Sequence, residues 1–204
     1  MRSVLLLMLL AATAAAEPTK FCGKEIDAST TTIECEDKKV SDLSPLAVAT
    51  SLEELDVIGL PVSDLTPLAG LTKLRELKLR MTKVTKLDAL AKLTSLQELN
   101  LMYTGVSDLK PLAALPLRKL LLAGTKVSNI APLASVLTLD NLDLSDTNVT
   151  TVKKALAKHE QLGQVDVRQT KVPKAEAQWL GKRAGHVYWG ANGEGHYGTA
   201  TGKH

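Results

Sequence analysis

Few residues of this sequence stand at spacings that chemistry uses. Gly193-Glu-Gly-His-Tyr-Gly198 has the letters of a dinucleotide-binding loop. Such a loop needs a strand before it, and a helix and an acidic residue after it. Only six residues follow Gly198, so the match reads as tail composition. His186, His196 and His204 bring imidazoles towards the C-terminus, but their spacing is not that of a structured metal site, and they read as surface histidines. Asn148-Val-Thr150 fits a glycosylation acceptor, which matters only in a cell that modifies such sites. No Ser/His/Asp or Cys/His set has a persuasive context. The expectation is therefore no catalytic residue, no cofactor and no metal ligand, and the chemistry left is recognition.

Recognition needs elements that hold side chains in rows, and the chain has them. Leu52, Leu74, Leu96, Leu117, Leu139 and Leu162 recur every 21–23 residues. Each is followed by apolar residues three and five positions later, as in Leu99/Leu101 and Leu142/Leu144. The alternation of Leu99 and Leu101 with Asn100 and Met102 is that of a half-buried strand. Val106, Leu109 and Leu112 then recur every third residue, which suits a tight helical or 3₁₀ turn. Such a unit leaves one apolar face bare and needs a copy on each side. A period near this length with an L-x-x-L-x-L core signals leucine-rich repeats. The chain thus resembles the leucine-rich repeat family, in particular the short bacterial repeats of internalin-like proteins, from about Leu52 to Val172. The expected fold is α/β: a right-handed leucine-rich repeat solenoid with one parallel sheet and short helical or 3₁₀ return segments.

The return half has readable chemistry. Val40-Ser-Asp-Leu-Ser-Pro-Leu-Ala47 recurs at Val62, Val106 and Val127. Its Ser, Asp or Asn can accept hydrogen bonds from the free N–H groups that open a helical turn, and proline suits the turn's first position. The stretch Thr151–His159 departs from this pattern and is expected to form a fuller α-helix. A threonine stands at each strand-to-return corner (Thr82, Thr104, Thr125, Thr147, Thr170). A threonine ladder, built from local hydrogen bonds, is expected on the buried side of that turn.

The 204 residues, with 3% aromatic and a net charge of +3, suit one solenoid with an aliphatic core. They give no case for nucleic acid. Arg2, the apolar run Val4–Ala12 and Ala14-Ala15-Ala16 read as a secretory signal peptide. The run is shorter than the ~20 residues a membrane span needs. The expected product is exported, to the periplasm, the cell surface or the medium, with no stable membrane insertion after cleavage. An oxidising compartment favours pairing Cys22 with Cys35. Counting back one period from Val57 puts Cys35 at an inward strand position of an atypical first repeat, so the bridge would staple a cap. The rival, a reactive thiol or metal pair, lacks a nearby histidine. The expected division is signal peptide 1–16, N-terminal cap 17–51, repeats 52–172, C-terminal cap 173–189 and a disordered tail 190–204. His186–Trp189 is expected as a final edge strand.

Residues alternating with the buried leucines point to the concave face. One row is Glu54, Glu76, Glu98, Lys119, Asn141, Gln164. The next is Asp56, Lys78, Asn100, Leu121, Asp143, Asp166, and the third is Ile58, Arg80, Met102, Ala123, Ser145, Arg168. Strict alternation would turn Met81 and Tyr103 inward, but the strand should end there, which leaves their direction open. Facing outward, they would join Ile58, Met102 and Leu121 in an apolar cluster flanked by Glu76, Glu98, Lys78 and Arg80, with Asn100 also a candidate contact. An apolar centre with a charged rim is what a protein-binding patch looks like. The expected function is an exported, non-catalytic, monomeric module that binds a protein through this face. Glycan or cell-wall binding is the alternative.

Overall fold

The computed structural model describes residues 18–190 and 195–198. The expected signal peptide and most of the expected tail lie outside them. Two short strands, β1 (Lys20–Phe21) and β2 (Lys24–Glu25), pair antiparallel in the N-terminal cap. One sheet then runs the length of the molecule. Its strands, in spatial as in chain order, are β3 (Thr32–Glu34), β4 (Glu54–Asp56), β5 (Glu76–Lys78), β6 (Glu98–Asn100), β7 (Lys119–Leu121), β8 (Asn141–Asp143), β9 (Gln164–Asp166), β10 (His186–Trp189) and β11 (Gly195–Gly198). From β3 to β10 every pairing is parallel. Sequence neighbours are space neighbours, because each coil can bury its aliphatic side only against the next.

Register follows the leucine pattern. Ile33, Leu55, Leu77, Leu99, Leu120, Leu142, Val165 and Val187 are paired positions in adjacent strands. All are buried, each side chain contributing about 1.5–3 kcal/mol of apolar burial. The sheet thus begins inside the segment assigned to the cap. Cys35 continues the first strand, its N–H donating to the Asp56 carbonyl at 2.9 Å. Its Sγ is bonded to that of Cys22, with the Cα atoms 5.6 Å apart.

The return segments are 3₁₀ turns at Ser44–Val48, Thr66–Leu68, Asp88–Leu90, Lys110–Leu112 and Ala131–Ser135. Their first internal bond runs from the third residue, as from Leu46 N–H to the Leu43 carbonyl (2.9 Å). The first two residues therefore have no partner within the turn. In four of the five an Asp or Asn two residues upstream takes the first, as Asp42 holds Ser44 N–H and Asp64 holds Thr66 N–H, both at 2.8 Å; Asp88–Leu90 has Lys86 there instead. In the same four, proline, which has no N–H, fills the second position rather than the first; Asp88–Leu90 has Ala89 there.

Three expectations change at the C-terminal end. Thr151–His159 is a series of turns, not an α-helix. Its opening N–H groups, on Val152 and Lys153, donate to the Glu176 carboxylate at 2.7 and 3.1 Å. That carboxylate sits on the following helix, α1 (Lys174–Gly181), so the segment is anchored sideways instead of continuing axially. Nor is β10 an edge strand, because β11 pairs antiparallel with it from His186↔Gly198 to Trp189↔Gly195. The tail is therefore not structureless throughout: four of its residues use the N–H and C=O row that the last coil would otherwise leave bare. Ala177 and Leu180 of α1 are buried against the core, with Trp179 packed beside them.

Candidate interaction surface

Three residues per coil are strand, yet the backbone ladder runs further. Beyond each strand from β4 to β9 two more N–H groups donate to the next coil: Leu79 to Asn100 (2.8 Å), then Met81 to Met102 (2.9 Å); Leu101 to Leu121 (2.9 Å), then Tyr103 to Ala123 (2.8 Å). The second donor of each pair has left-handed backbone. These positions are Gly59, Met81, Tyr103, Gly124, Asp146 and Gln169, with φ between 53° and 69°. An Asx turn leads into the bend. Asp56, Asn100, Asp143 and Asp166 each accept the N–H two residues ahead at 2.9–3.1 Å. The corner then closes on threonine. The hydroxyls of Thr82, Thr104, Thr125 and Thr147 donate to the carbonyls of Leu79, Leu101, Leu122 and Leu144 at 2.6–2.7 Å. These bonds stay within their own turn, forming a buried row rather than a coil-to-coil ladder. Thr170 repeats the bond, half-buried.

The left-handed bend decides the question left open by alternation. It turns the side chains of Met81 and Tyr103 outward, 55% and 50% exposed. Tyr103 is placed from both sides. The Arg80 guanidinium lies over its ring, 5.5 Å from the centroid. On the other side the ring covers Gly124, where a Cβ would stand 2.4 Å from Tyr103 Cδ1. Ile58, Lys78, Arg80, Glu98, Asn100, Met102 and Leu121 are all half-buried on the face. Asn100 is partly committed to the fold, since its Oδ1 already accepts the Met102 N–H at 3.1 Å.

The charged rim is paired internally. Lys78 Nζ lies 2.9 Å from Glu76, 3.0 Å from Glu54 and 4.0 Å from Asp56. Hydrogen bonds donated to Glu76 and then Glu54 hold the ammonium well above its ordinary pKa. Lys119 meets Glu98 at 3.2 Å. Between them lies a dimple of about 30 Å³, walled by Lys78, Asn100, Lys119 and Leu121. Leu121 is the apolar member of an otherwise polar row. Towards the C-terminal end Arg168 grips Asp166 through Nε and Nη2. Burial pushes the Asp143 carboxyl up.

Period counting missed two features. Gly124 seats the Tyr103 ring, a role invisible until the bend is known. Glu34 and Glu36 stand one period before Asp56 and Ile58, and with these and Lys38 they border an open hollow of about 470 Å³. Counting back 22 residues would have found them. Among the described residues no group of three or more His, Cys, Asp or Glu side chains is placed to hold a metal ion.

The in-register coils have a counterpart among known families. The family described as Leucine Rich repeats (2 copies) matches residues 72–114. The fold is a leucine-rich repeat solenoid. In sequence, none of the curated proteins matches it. Among solved structures it is similar to internalin C2 of Listeria monocytogenes, at 26% identity and a TM-score of 0.71, over 78% of this chain and 70% of that one. A second Listeria monocytogenes internalin, inlF, is 20% identical with a TM-score of 0.64, over 80% of this chain and 56% of that one. A leucine-rich repeat protein of Leptospira interrogans is 17% identical with a TM-score of 0.59, over 76% and 47%. The last two likenesses concern the fold alone. The leucine-rich repeat chain spans about half the length of each of these two.

Proposed function

We propose that this protein is an exported, non-catalytic module that binds another protein through its sheet face. The observation that carries the reading is the Met81–Tyr103 spot. Two large apolar side chains are held outward on strained left-handed backbone, with Tyr103 positioned by Arg80 and Gly124. Buried aromatic anchors beside arginine dominate protein interfaces. A rigid sheet offers them with little ordering cost on binding. Ile58, Met102 and Leu121 extend the apolar centre, and Lys78, Glu98 and Asn100 rim it.

Export is supported by the leader-like residues 1–16 and by the Cys22–Cys35 disulfide. Among the described residues no helix is long and apolar enough to cross a membrane. The glycan alternative gains no feature of its own from the face.

Affinity capture with the mature protein tests the reading. A protein retained by the wild type should be lost from Tyr103→Ala/Met81→Ala at unchanged melting temperature. Equal retention by the variant would remove this face from the interface.

A further inference from the structure

The reading above leaves the chemistry of the partner open, and charge narrows it. In the first four coils the face carries six carboxylates: Glu34, Glu36, Glu54, Asp56, Glu76 and Glu98. Against them stand three cations, Lys38, Lys78 and Arg80, so this half of the face is net −3 while the whole chain is +3. The molecule is therefore polarised, with its excess of lysine elsewhere.

The arrangement of the carboxylates is costly. Glu54, Glu76 and Glu98 are directly paired positions in adjacent strands, about 4.8 Å apart, and like charges so placed destabilise a sheet. A cation between them relieves the repulsion. Lys78 does this for the first two, and its position shows the group that fits: an ammonium within hydrogen-bond reach of both carboxylates. Further towards the N-terminal end the cations stand less close: Lys78 reaches Asp56 only at 4.0 Å, and Lys24 borders a neighbouring hollow with Glu34 and Glu36 without an ion pair to either among the described residues. Glu34, Glu36 and Asp56 border the open hollow, and the lysine there, Lys38, is turned aside to the Ile58 carbonyl at 3.1 Å.

We propose that this half of the sheet face receives a basic segment of a partner protein. Its Lys or Arg side chains enter the hollow beside Glu34, Glu36 and Asp56, and an apolar side chain seats against Met81 and Tyr103. The proposal rests on the protein-binding reading and adds the sign of the partner's charge. Complementary fields of this kind steer encounter and fade with salt.

The test uses two synthetic peptides of about twelve residues with one central leucine, one bearing arginines and the other glutamates at the same places. Each is titrated into the full mature protein at about 20 mM and about 300 mM NaCl, with amide shifts followed by NMR. The arginine peptide should bind at low salt and shift the amides of residues 34–58 and 80–103. It should lose about tenfold in affinity at the higher salt. Glu34→Gln/Glu36→Gln, both exposed positions outside the core, should weaken it about fivefold with no change in melting temperature. Preference for the glutamate peptide, an unaffected double variant, shifts confined to the opposite side, or no binding of the arginine peptide would each overturn the proposal. So would salt-dependent self-association that consumes this face, since the occupant would then be a second copy. If a captured protein is lost from Tyr103→Ala/Met81→Ala but holds on to Glu34→Gln/Glu36→Gln at both salts, the protein-binding reading stands and the basic partner falls.

Discussion

At the scale of single residues, the corner threonines show how much a short side chain can settle. Each hydroxyl hydrogen bonds a carbonyl three residues back, inside a buried turn where water cannot replace it. Thr125→Val keeps the shape and deletes the donor. It should cost about 1 kcal/mol, the net worth of one such bond, read from the urea midpoint. An unchanged midpoint would mean that threonine is merely tolerated there. The threonines were legible in the sequence because they keep the period. The direction of Met81 and Tyr103 was not, since alternation alone turns them inward. Left-handed φ reverses them, and four of the six bend positions carry no glycine to announce it. Met81 holds that strain while half exposed, which separates folding from recognition. Met81→Gly should raise stability by up to about 1 kcal/mol and still weaken partner capture. A variant both stabler and fully competent in capture would take Met81 out of the site.

At the scale of elements, each coil is a strand, a left-handed bend and a return turn, and neighbours lock at the bend. Gly124 is one place where two coils meet closely, because the Tyr103 ring of one lies on the bare backbone of the next. Gly124→Ala adds a methyl under that ring at φ +68°. The backbone term alone is about 1–2 kcal/mol, and the ring must also lift. The expected result is a lower melting temperature together with weaker capture, and loss of stability with capture intact would separate Gly124 from the anchor. The strands and the 3₁₀ returns were readable because leucine and proline mark them. The stretch from Thr151 to His159 misleads, since Val152, Ala155, Leu156 and His159 have helical spacing. In the fold they point into the core from successive turns, and Glu176, 24 residues beyond Val152, takes the N–H groups that a helix would have opened with. A contact so distant in sequence leaves no local signal. The pairing of β11 with β10 is equally silent, because glycine-rich composition says only that a segment makes no core of its own.

For the whole molecule, a solenoid is as strong as its ends, since each inner coil is covered on both sides and each terminal one on a single side. The two ends are secured by different chemistry. At the first, the Cys22–Cys35 bridge spans a sequence separation of 13, worth about 3 kcal/mol on loop-closure grounds. At the other, two titratable groups do the work. His159 is wholly buried in the row of Ala49, Leu71, Leu93, Leu115 and Val136, its Nε2 3.0 Å from the Val136 carbonyl. Burial holds its pKa below the ordinary 6.5, outweighing that hydrogen bond. Its contribution is therefore complete above about pH 6.5 and is lost as pH falls from there through the depressed folded value, because the unfolded chain gains a proton that the fold resists. Burial raises the Glu176 pKa, but bonds from Val152, Lys153 and Thr151 outweigh this and hold it below 4.5. Its contribution is complete above that value and lost below it. Acid should thus open the molecule from the C-terminal end and reductant from the N-terminal end. Hydrogen exchange read by mass spectrometry checks both. From pH 7 to 5, after correction for intrinsic rates, protection should fall in residues 151–166 and 174–189 while residues 20–60 hold. A reducing agent at pH 7 should reverse the two. His159→Leu, which restores the aliphatic row, should abolish the loss at pH 5 and keep the later one below pH 4.5. Uniform loss along the chain at pH 5, or a His159→Leu variant as acid-sensitive as the wild type, would show that the imidazole does not secure this end.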